Sequence, residues 1–308
     1  LEKLVKTDKV LLILGARQVG KTTLLTHIKN ELEKDSKKTL FINCDLEEER
    51  SLFNTTSFTQ LQKLTQGVEY LLVDEVQRLN DPGLTIKIIF DTLKKTKLIA
   101  TGSSSLDLKN KLSDSLTGRY IDFTLSPLSL FEILSSTHLI SSHSLLAQKQ
   151  ADMLLNQLIL FGGYPDIYLQ KKAEDKKLFL TKIVESYLFK DIFMFQNMRY
   201  HHIMKDLSQA LAYQIGSEIN ENELANRLKI DRKTIVSYID MLEKSFVIMR
   251  VYPFSRNPRR EIGRRYKIYF VDVGIRNGLI GDFNPLALRA DRGALWENFL
   301  IVERIKKY

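Results

Sequence analysis

Eight consecutive residues, Gly15, Ala16, Arg17, Gln18, Val19, Gly20, Lys21 and Thr22, spell glycine, four variable positions, glycine, lysine and a hydroxyl residue. This spacing suits a polyphosphate. Glycines let the chain curl until several N–H groups face one anion. A helix starting behind the loop would add partial positive charge at the same place. Lys21 would put a full charge between the β- and γ-phosphates, the Thr22 hydroxyl would reach Mg²⁺, and Thr23 would continue the phosphate-facing set. The pattern points to a nucleoside triphosphate and leaves its fate open.

A second segment supplies acid. Tyr70-Leu-Leu-Val-Asp74-Glu75 is an apolar run ending in two carboxylates. At the C-terminal end of a parallel strand, where ligands bind in open α/β sheets, Asp74 would hold Mg²⁺ through water. Glu75 would accept the proton of an attacking water, which favours hydrolysis over transfer to a bound acceptor. The plain alternative is a turn capped by an Asp-Glu pair. Thr101-Gly-Ser-Ser-Ser105 ends a further apolar run, and Ser103 (Ser104 next) is placed to hydrogen-bond the γ-phosphate or the water. A serine-rich helix cap is the alternative there. Arg119 opens the last strand-like run and suits an arginine finger or sensor, from its own chain or a neighbour's; a surface arginine is the alternative. Asp45 is a weaker candidate at the head of an acidic run.

These groups need a scaffold. Strand-sized apolar runs at 10–14, 39–43, 69–74, 97–101 and 120–125 alternate with helical patterns at 22–34 and 84–95. The expected fold is α/β: a P-loop NTPase core on a parallel sheet covered on both faces. After Pro127 the pattern is mostly helical to about residue 215, broken at Gly162-Gly-Tyr-Pro165. From about residue 203 the chain reads as helix, turn, helix, helix and β-ribbon.

That last stretch looks like a winged-helix domain. Asn220 and Asp231 sit where N-caps belong, and residues 246–252 and 267–271 would form the wing. Between those strands Arg250, Arg256, Arg259, Arg260, Arg264, Arg265 and Lys267 face only Glu261. This suits a phosphate backbone, and Arg232, Lys233, Ser237 and Tyr238 would enter a groove of DNA. Winged helices also grip proteins and regulate ATPases, and both readings stand. Charge agrees: of a net +9, residues 1–125 carry 19 basic and 17 acidic side chains, and residues 126–308 the other 27 and 20.

Composition narrows the classes. With 44% hydrophobic and 27% charged residues the chain reads as globular, and no apolar run approaches the roughly 18 residues of a membrane span. Cys44 is the single cysteine, so an internal disulfide and a cysteine-based zinc cluster are both excluded. The five histidines show no metal-ligand spacing. A charged N-terminus without a secretory pattern points to the cytoplasm, and the missing initiator Met to a piece of a longer protein. Asn110-Lys-Leu-Ser113 lacks the aspartate of a guanine-reading motif, which favours ATP over GTP, and no Leu-Ser-Gly-Gly-Gln transporter signature occurs. An ATP-responsive regulator with little turnover is the competing function; Glu75 argues against it. Oligomerisation stays open.

With these segments in hand, the chain resembles a prokaryotic family of AAA-type ATPases that carry a C-terminal domain of unknown function. The resemblance runs through the phosphate loop, Leu72-Val-Asp-Glu-Val-Gln77, Ala100-Thr-Gly-Ser-Ser-Ser105, Leu116-Thr-Gly-Arg-Tyr120, Leu125-Ser-Pro-Leu-Ser129, Phe161-Gly-Gly-Tyr-Pro165, Tyr187-Leu-Phe-Lys-Asp191 and Gly293-Ala-Leu-Trp-Glu-Asn298. It implies an AAA-like core over 1–126, a helical lid over 127–202, the winged helix over 203–280, and at 281–308 the start of a restriction-endonuclease-like domain. No nuclease metal site falls within these residues.

Overall fold

Five apolar stretches of the first 125 residues form one parallel sheet: β1 (Val10–Leu14), β2 (Thr39–Asn43), β3 (Tyr70–Asp74), β4 (Lys97–Gly102) and β5 (Tyr120–Thr124). The computed structural model describes residues 5, 7–55, 57–93, 95–103, 118–140, 144–185, 201–254 and 265–307. It divides into two units, Leu1–Leu125 and Ser126–Tyr308.

In the first unit the strand order is β2-β3-β4-β1-β5. The interior strand β1 is buried along its whole length, while the edge strand β5 is half-buried or exposed. Continuous apolar runs thus go where both faces are covered, as a parallel sheet demands. Helix α1 (Lys21–Lys34) lays Leu25 and Ile28 against Leu11, Ile13, Leu72 and Ile99. Two short helices, α2 (Glu47–Phe53) and α3 (Phe58–Leu64), lie between β2 and β3 in sequence. Helix α4 (Pro82–Thr92) starts where Asp81 accepts from Leu84 N–H at 2.9 Å and Pro82 occupies the first helical position. The α/β expectation holds. Cys44 is buried, and burial pushes its thiol up to about 12, so it stays protonated and inert at neutral pH.

The second unit is mostly helical. It contains α5 (Leu130–Ser136), α6 (Leu145–Phe161), α7 (Pro165–Tyr168), α8 (Ala173–Ile183), α9 (His201–Tyr213), α10 (Glu221–Leu228) and α11 (Arg232–Lys244). A two-stranded antiparallel sheet of β6 (Ile248–Val251) and β7 (Lys267–Phe270) follows, then α12 (Val273–Ile280) and α13 (Arg292–Lys306). Asn220 and Asp231 do cap α10 and α11, and Lys229, at φ +55°, makes the turn between them. The stretches 127–202, 203–280 and 281–308, separate in the sequence reading, supply helices that pack on one another. Helix α12 lies against α6, α8 and α9, and α13 against α6 and β7.

Polar ties hold this packing. The Asp272 carboxylate is 4% exposed and accepts from Gly274 N–H at 2.8 Å, Ile275 N–H at 3.2 Å and Gly163 N–H at 2.7 Å. Burial pushes its carboxyl above the usual range; Lys306 and the N–H donors pull the other way. Asn298 bonds both N–H and C=O of Phe270 at 2.8 Å, and Asn277 donates to the carbonyls of Ile159 and Leu160. Arg276, buried, donates to Ala212 O and pairs with Asp291, as does Arg289. Such satisfaction is what a polar group needs once water is excluded.

Several details of the basic module differ from the sequence reading. Arg256, Arg259, Arg260 and Arg264 lie outside the described residues, as does Glu261. Arg250 is in ion pairs with Asp240 and Glu243 and lies over the Tyr266 ring. Lys267 pairs with Glu297 at 3.0 Å, and Arg232 with Glu221 at 2.6 Å. Counting charges along the chain overlooked carboxylates brought to Arg232 by α10, to Arg250 by α11 and to Lys267 by α13. Tyr238 cannot enter a groove: it is buried beside Ile235, Ile239, Met241 and Leu242 on the core face of α11. Lys233, Ser237 and Arg265 are exposed.

Gly162 has φ +74°, and a Cβ there would lie 1.8 Å from Asp272 Oδ1. Gly162→Ala should therefore cost about 3 kcal/mol or more in urea unfolding, from the strain of a positive-φ, extended-ψ backbone plus a displaced buried carboxylate. In an Asp272→Ala background the same change should cost only the strain, about 1–3 kcal/mol. Additive losses would show that the clash is elsewhere.

Candidate functional site

Three adjacent strands carry the polar groups to one edge of the first unit's sheet. The register pairs Val73 with Ala100 and Leu14 with Gly102, so the ends of β3, β4 and β1 lie level. The phosphate loop leaves β1, Asp74 ends β3, and Thr101 and Ser103 lie at the end of β4. This is the C-terminal edge at which parallel sheets bind ligands.

The loop sits tightly on the sheet. Leu125 N–H donates to Leu14 O at 2.7 Å. A Cβ on Gly15 would come within 2.3 Å of Leu125 O, so no larger residue fits. Ala16 and Val19 turn their side chains into the core, leaving backbone to face outward. Arg17 is half-buried; Gln18 is exposed and left-handed at φ +61°. Gly20 caps α1, whose first residues are Lys21, Thr22 and Thr23.

Lys21 is only 4% exposed. Its ammonium donates to Gly15 O at 3.2 Å and Ala16 O at 2.9 Å, and lies 3.9 Å from Glu75 Oε1. Burial holds its pKa below the usual lysine range; Glu75 and Asp74 offset part of that. A buried cation satisfied by the loop's own carbonyls is one that an incoming polyphosphate can draw out of place.

Asp74 is 2% exposed and uses both oxygens. Oδ2 accepts from Thr22 Oγ1 at 2.7 Å, and Oδ1 accepts from Thr101 Oγ1. The Thr101 hydroxyl in turn accepts the Glu75 N–H at 3.0 Å, which holds Glu75 at φ +52°. Glu75 Oε2 accepts from Gln77 Nε2, and the same nitrogen donates to Ser103 Oγ at 2.8 Å. An open cleft of about 580 Å³ lies beside Glu75, lined by Arg17, Gln18, Asp45, Arg50 and Arg78.

The donor set fits a magnesium nucleotide. Thr22 and Asp74 put a hydroxyl and a carboxylate side by side, the pair expected to hold Mg²⁺ directly and through water. Among the described residues no group of three or more histidine, cysteine or acidic side chains could hold a metal. A metal here would be completed by phosphate oxygens and water, which is how Mg²⁺ usually binds.

The structure brings the loop residues Gly15, Ala16, Lys21 and Thr22 together with Asp74, Glu75 and Ser103. Ser104 lies outside the described residues. Arg119 is a correction. It precedes Tyr120, which pairs with Val10 at the start of β1, and its carbonyl accepts Val10 N–H at 3.0 Å. That is the sheet edge opposite the phosphate loop, and its side chain pairs with Asp91 at 3.0 Å. A residue that opens a parallel strand belongs at the N-terminal edge, so the strand direction itself argued against a finger acting within the chain. Asp45 pairs with Arg78 at 3.0 Å. Sequence reading missed Thr101 and Gln77. A hydroxyl within the apolar β4 was a visible signal for Thr101; Gln77, two residues past the acidic pair, had none beyond proximity.

Comparison with known proteins agrees for this unit. Residues 7–134 match the family model described as an AAA domain. The match covers the five-stranded parallel sheet and the glycine loop that leaves β1. Residues 152–286 match the domain of unknown function DUF8612, which says nothing of their role. An uncharacterized protein of Haemophilus influenzae is 26% identical over 98% of this chain and 75% of its own length. Uncharacterized protein MJ1544 of Methanocaldococcus jannaschii is 27% identical over 96% of this chain and 66% of its own. Rv2008c of Mycobacterium tuberculosis, also uncharacterized, is 25% identical, and the chain spans 61% of its length. Among solved structures, AMPPCP-bound DnaA from Aquifex aeolicus superposes with a TM-score of 0.31 at 18% identity, over 79% of this chain and 84% of that one. No described helix is long and apolar enough to cross a membrane.

The geometry around Lys21 leads to a prediction of nucleotide-linked stability. Magnesium ATP at about 100 times its Kd should stabilise the wild type by about 2.7 kcal/mol, seen as a raised melting temperature. Lys21→Ala should abolish the shift. Equal shifts in both proteins would remove Lys21 from the site.

Proposed function

We propose that the chain binds ATP with Mg²⁺ and hydrolyses it. The observation that carries this reading is the Glu75 carboxylate, 3.9 Å from the Lys21 ammonium and held by Gln77 and Thr101 at the strand edge where a γ-phosphate would lie. Loop N–H groups and Lys21 bind the phosphates. Mg²⁺, at Thr22 and Asp74, would neutralise charge on the β- and γ-oxygens. Glu75 takes a proton from water as the water oxygen attacks the γ-phosphorus. The bond from that phosphorus to the bridging oxygen breaks, and ADP leaves with the electron pair. Ser103 donates to a γ-phosphate oxygen. Support comes also from the AAA match over residues 7–134.

Glu75→Gln keeps the shape and removes the base. Turnover should fall by about 10²-fold or more while ATP affinity survives. Steady-state phosphate release and a fluorescent-nucleotide titration measure the two. Wild-type turnover in the variant would take the role of base away from Glu75, and absence of turnover in the wild type would favour a regulator that binds ATP without using it.

A second reading concerns residues 203–280. The order α9, α10, turn, α11, β6, β7 supports a winged helix, and exposed Lys233, Ser237 and Arg265 support a nucleic-acid surface. If Arg256, Arg259, Arg260, Arg264 and Arg265 follow a duplex backbone, the log–log salt slope of binding should be about −4. Replacing Arg259 and Arg260 with alanine should flatten it by about 2. Identical slopes, measured by anisotropy on a labelled duplex, favour a protein partner.

A further inference from the structure

Gln77 stands one short turn past β3, in the 3-10 segment Val76–Arg78. Its amide is used unevenly. Nε2 donates twice, to Glu75 Oε2 and to Ser103 Oγ at 2.8 Å. Oε1 is buried and, among the described residues, has no hydrogen-bond partner. An amide with both outcomes open would turn its oxygen toward a donor. Turning here would aim the oxygen at the Glu75 carboxylate, so the assignment is fixed by charge. The stranded oxygen is the cost of keeping the nitrogen where it is.

The geometry gives that nitrogen a task. Glu75 has its backbone clamped through Thr101 and its Oε2 clamped through Gln77, which leaves Oε1 toward Lys21. Ser103 accepts from Gln77, so its own proton is directed elsewhere; among the described residues it donates to none. A γ-phosphate oxygen is the acceptor that the proposed site would supply.

We propose that Gln77 is a positioning residue that ties the orientation of Glu75 to occupancy of the γ-phosphate position at Ser103. The proposal rests on the ATPase reading above. When a phosphate oxygen accepts a hydrogen bond from the Ser103 hydroxyl, the serine oxygen becomes a better acceptor for the amide. Gln77 is thereby held between Ser103 and Glu75, and Oε1 stays aimed at the position that Lys21 vacates on engaging the phosphates. With a diphosphate that pull is missing. Gln77 touches neither water nor phosphate in this scheme; it acts through its two partners.

The test uses Gln77→Ala and Gln77→Met; the second keeps the volume and loses the donors. Both should lower kcat about tenfold or more, the scale of a misplaced base. ADP affinity should stay within about twofold. The ratio of Kd for ADP to Kd for a methylene-bridged triphosphate analogue should fall by about tenfold, the scale of one hydrogen bond to a charged group. In a Ser103→Ala background, Gln77→Met should add less than about a twofold further loss of kcat, since the relay is already cut. Unchanged kcat and ratio in Gln77→Met would overturn the proposal. So would a parallel loss of ADP affinity, which marks a structural role, or losses that multiply with Ser103→Ala. If the wild type binds nucleotide without turnover, the ATPase reading falls and the ratio alone decides the coupling. If it binds none, both fall.

Discussion

The Asp74 carboxylate joins three pieces of chain that meet nowhere in sequence. One oxygen accepts from Thr22 at the start of α1, the other from Thr101 in β4, and Asp74 itself ends β3. With 2% of its surface exposed it cannot fall back on water, so losing a partner would leave a charge unpaired. The parallel register makes the arrangement possible by levelling the ends of β3, β4 and β1. Everything else at the edge follows from it. Thr22 fixes the first turn of α1 and so the exit of the phosphate loop. Thr101 turns the Glu75 backbone into a left-handed conformation and points its side chain back toward Lys21.

In the second unit the same kind of tie has a different consequence. Asp272, Asn298, Asn277 and the Arg276–Asp291–Arg289 cluster each bond segments far apart in sequence. Asp291 sits against two guanidinium groups, which hold its carboxyl down at about 2. Both guanidinium groups are buried while Asp291 is partly exposed, so removing Asp291 would leave two buried cations short of a partner. Residues that look functional in a bare sequence, such as Gly162-Gly163 and Asn298, are accounted for here by close approach and by backbone pairing. Their chemistry is spent inside the fold.

The glycine loop and the acidic strand end were legible because their patterns are local. A curl of N–H groups, a lysine and a hydroxyl must be contiguous to face one anion, and a carboxylate must end its strand. Ser103 was legible for a similar reason, as a polar residue just past an apolar run. The misplaced residues all depended on partners elsewhere. Arg119 sits at the opposite sheet edge, beside Asp91. Arg250, Lys267 and Arg232 looked unopposed along the chain and are each met by a carboxylate from another element. Tyr238 looked available because the helix period alone does not say which face of α11 the core will take.

By itself the sequence determined the α/β class of the first unit, the strand-loop-helix order and the place of the glycine loop between β1 and α1. These rest on hydrophobic period and on short spacings, which survive without knowledge of neighbours. The tertiary structure decided the strand order β2-β3-β4-β1-β5, the bridge from Gln77 to Glu75 and Ser103, and the pairing of the surface arginines. It also decided that the helices of 127–202, 203–280 and 281–308 pack on one another. The reason is physical: a hydrogen bond or an ion pair depends on distances of a few ångströms, and those are set by how elements pack and not by how many residues separate them.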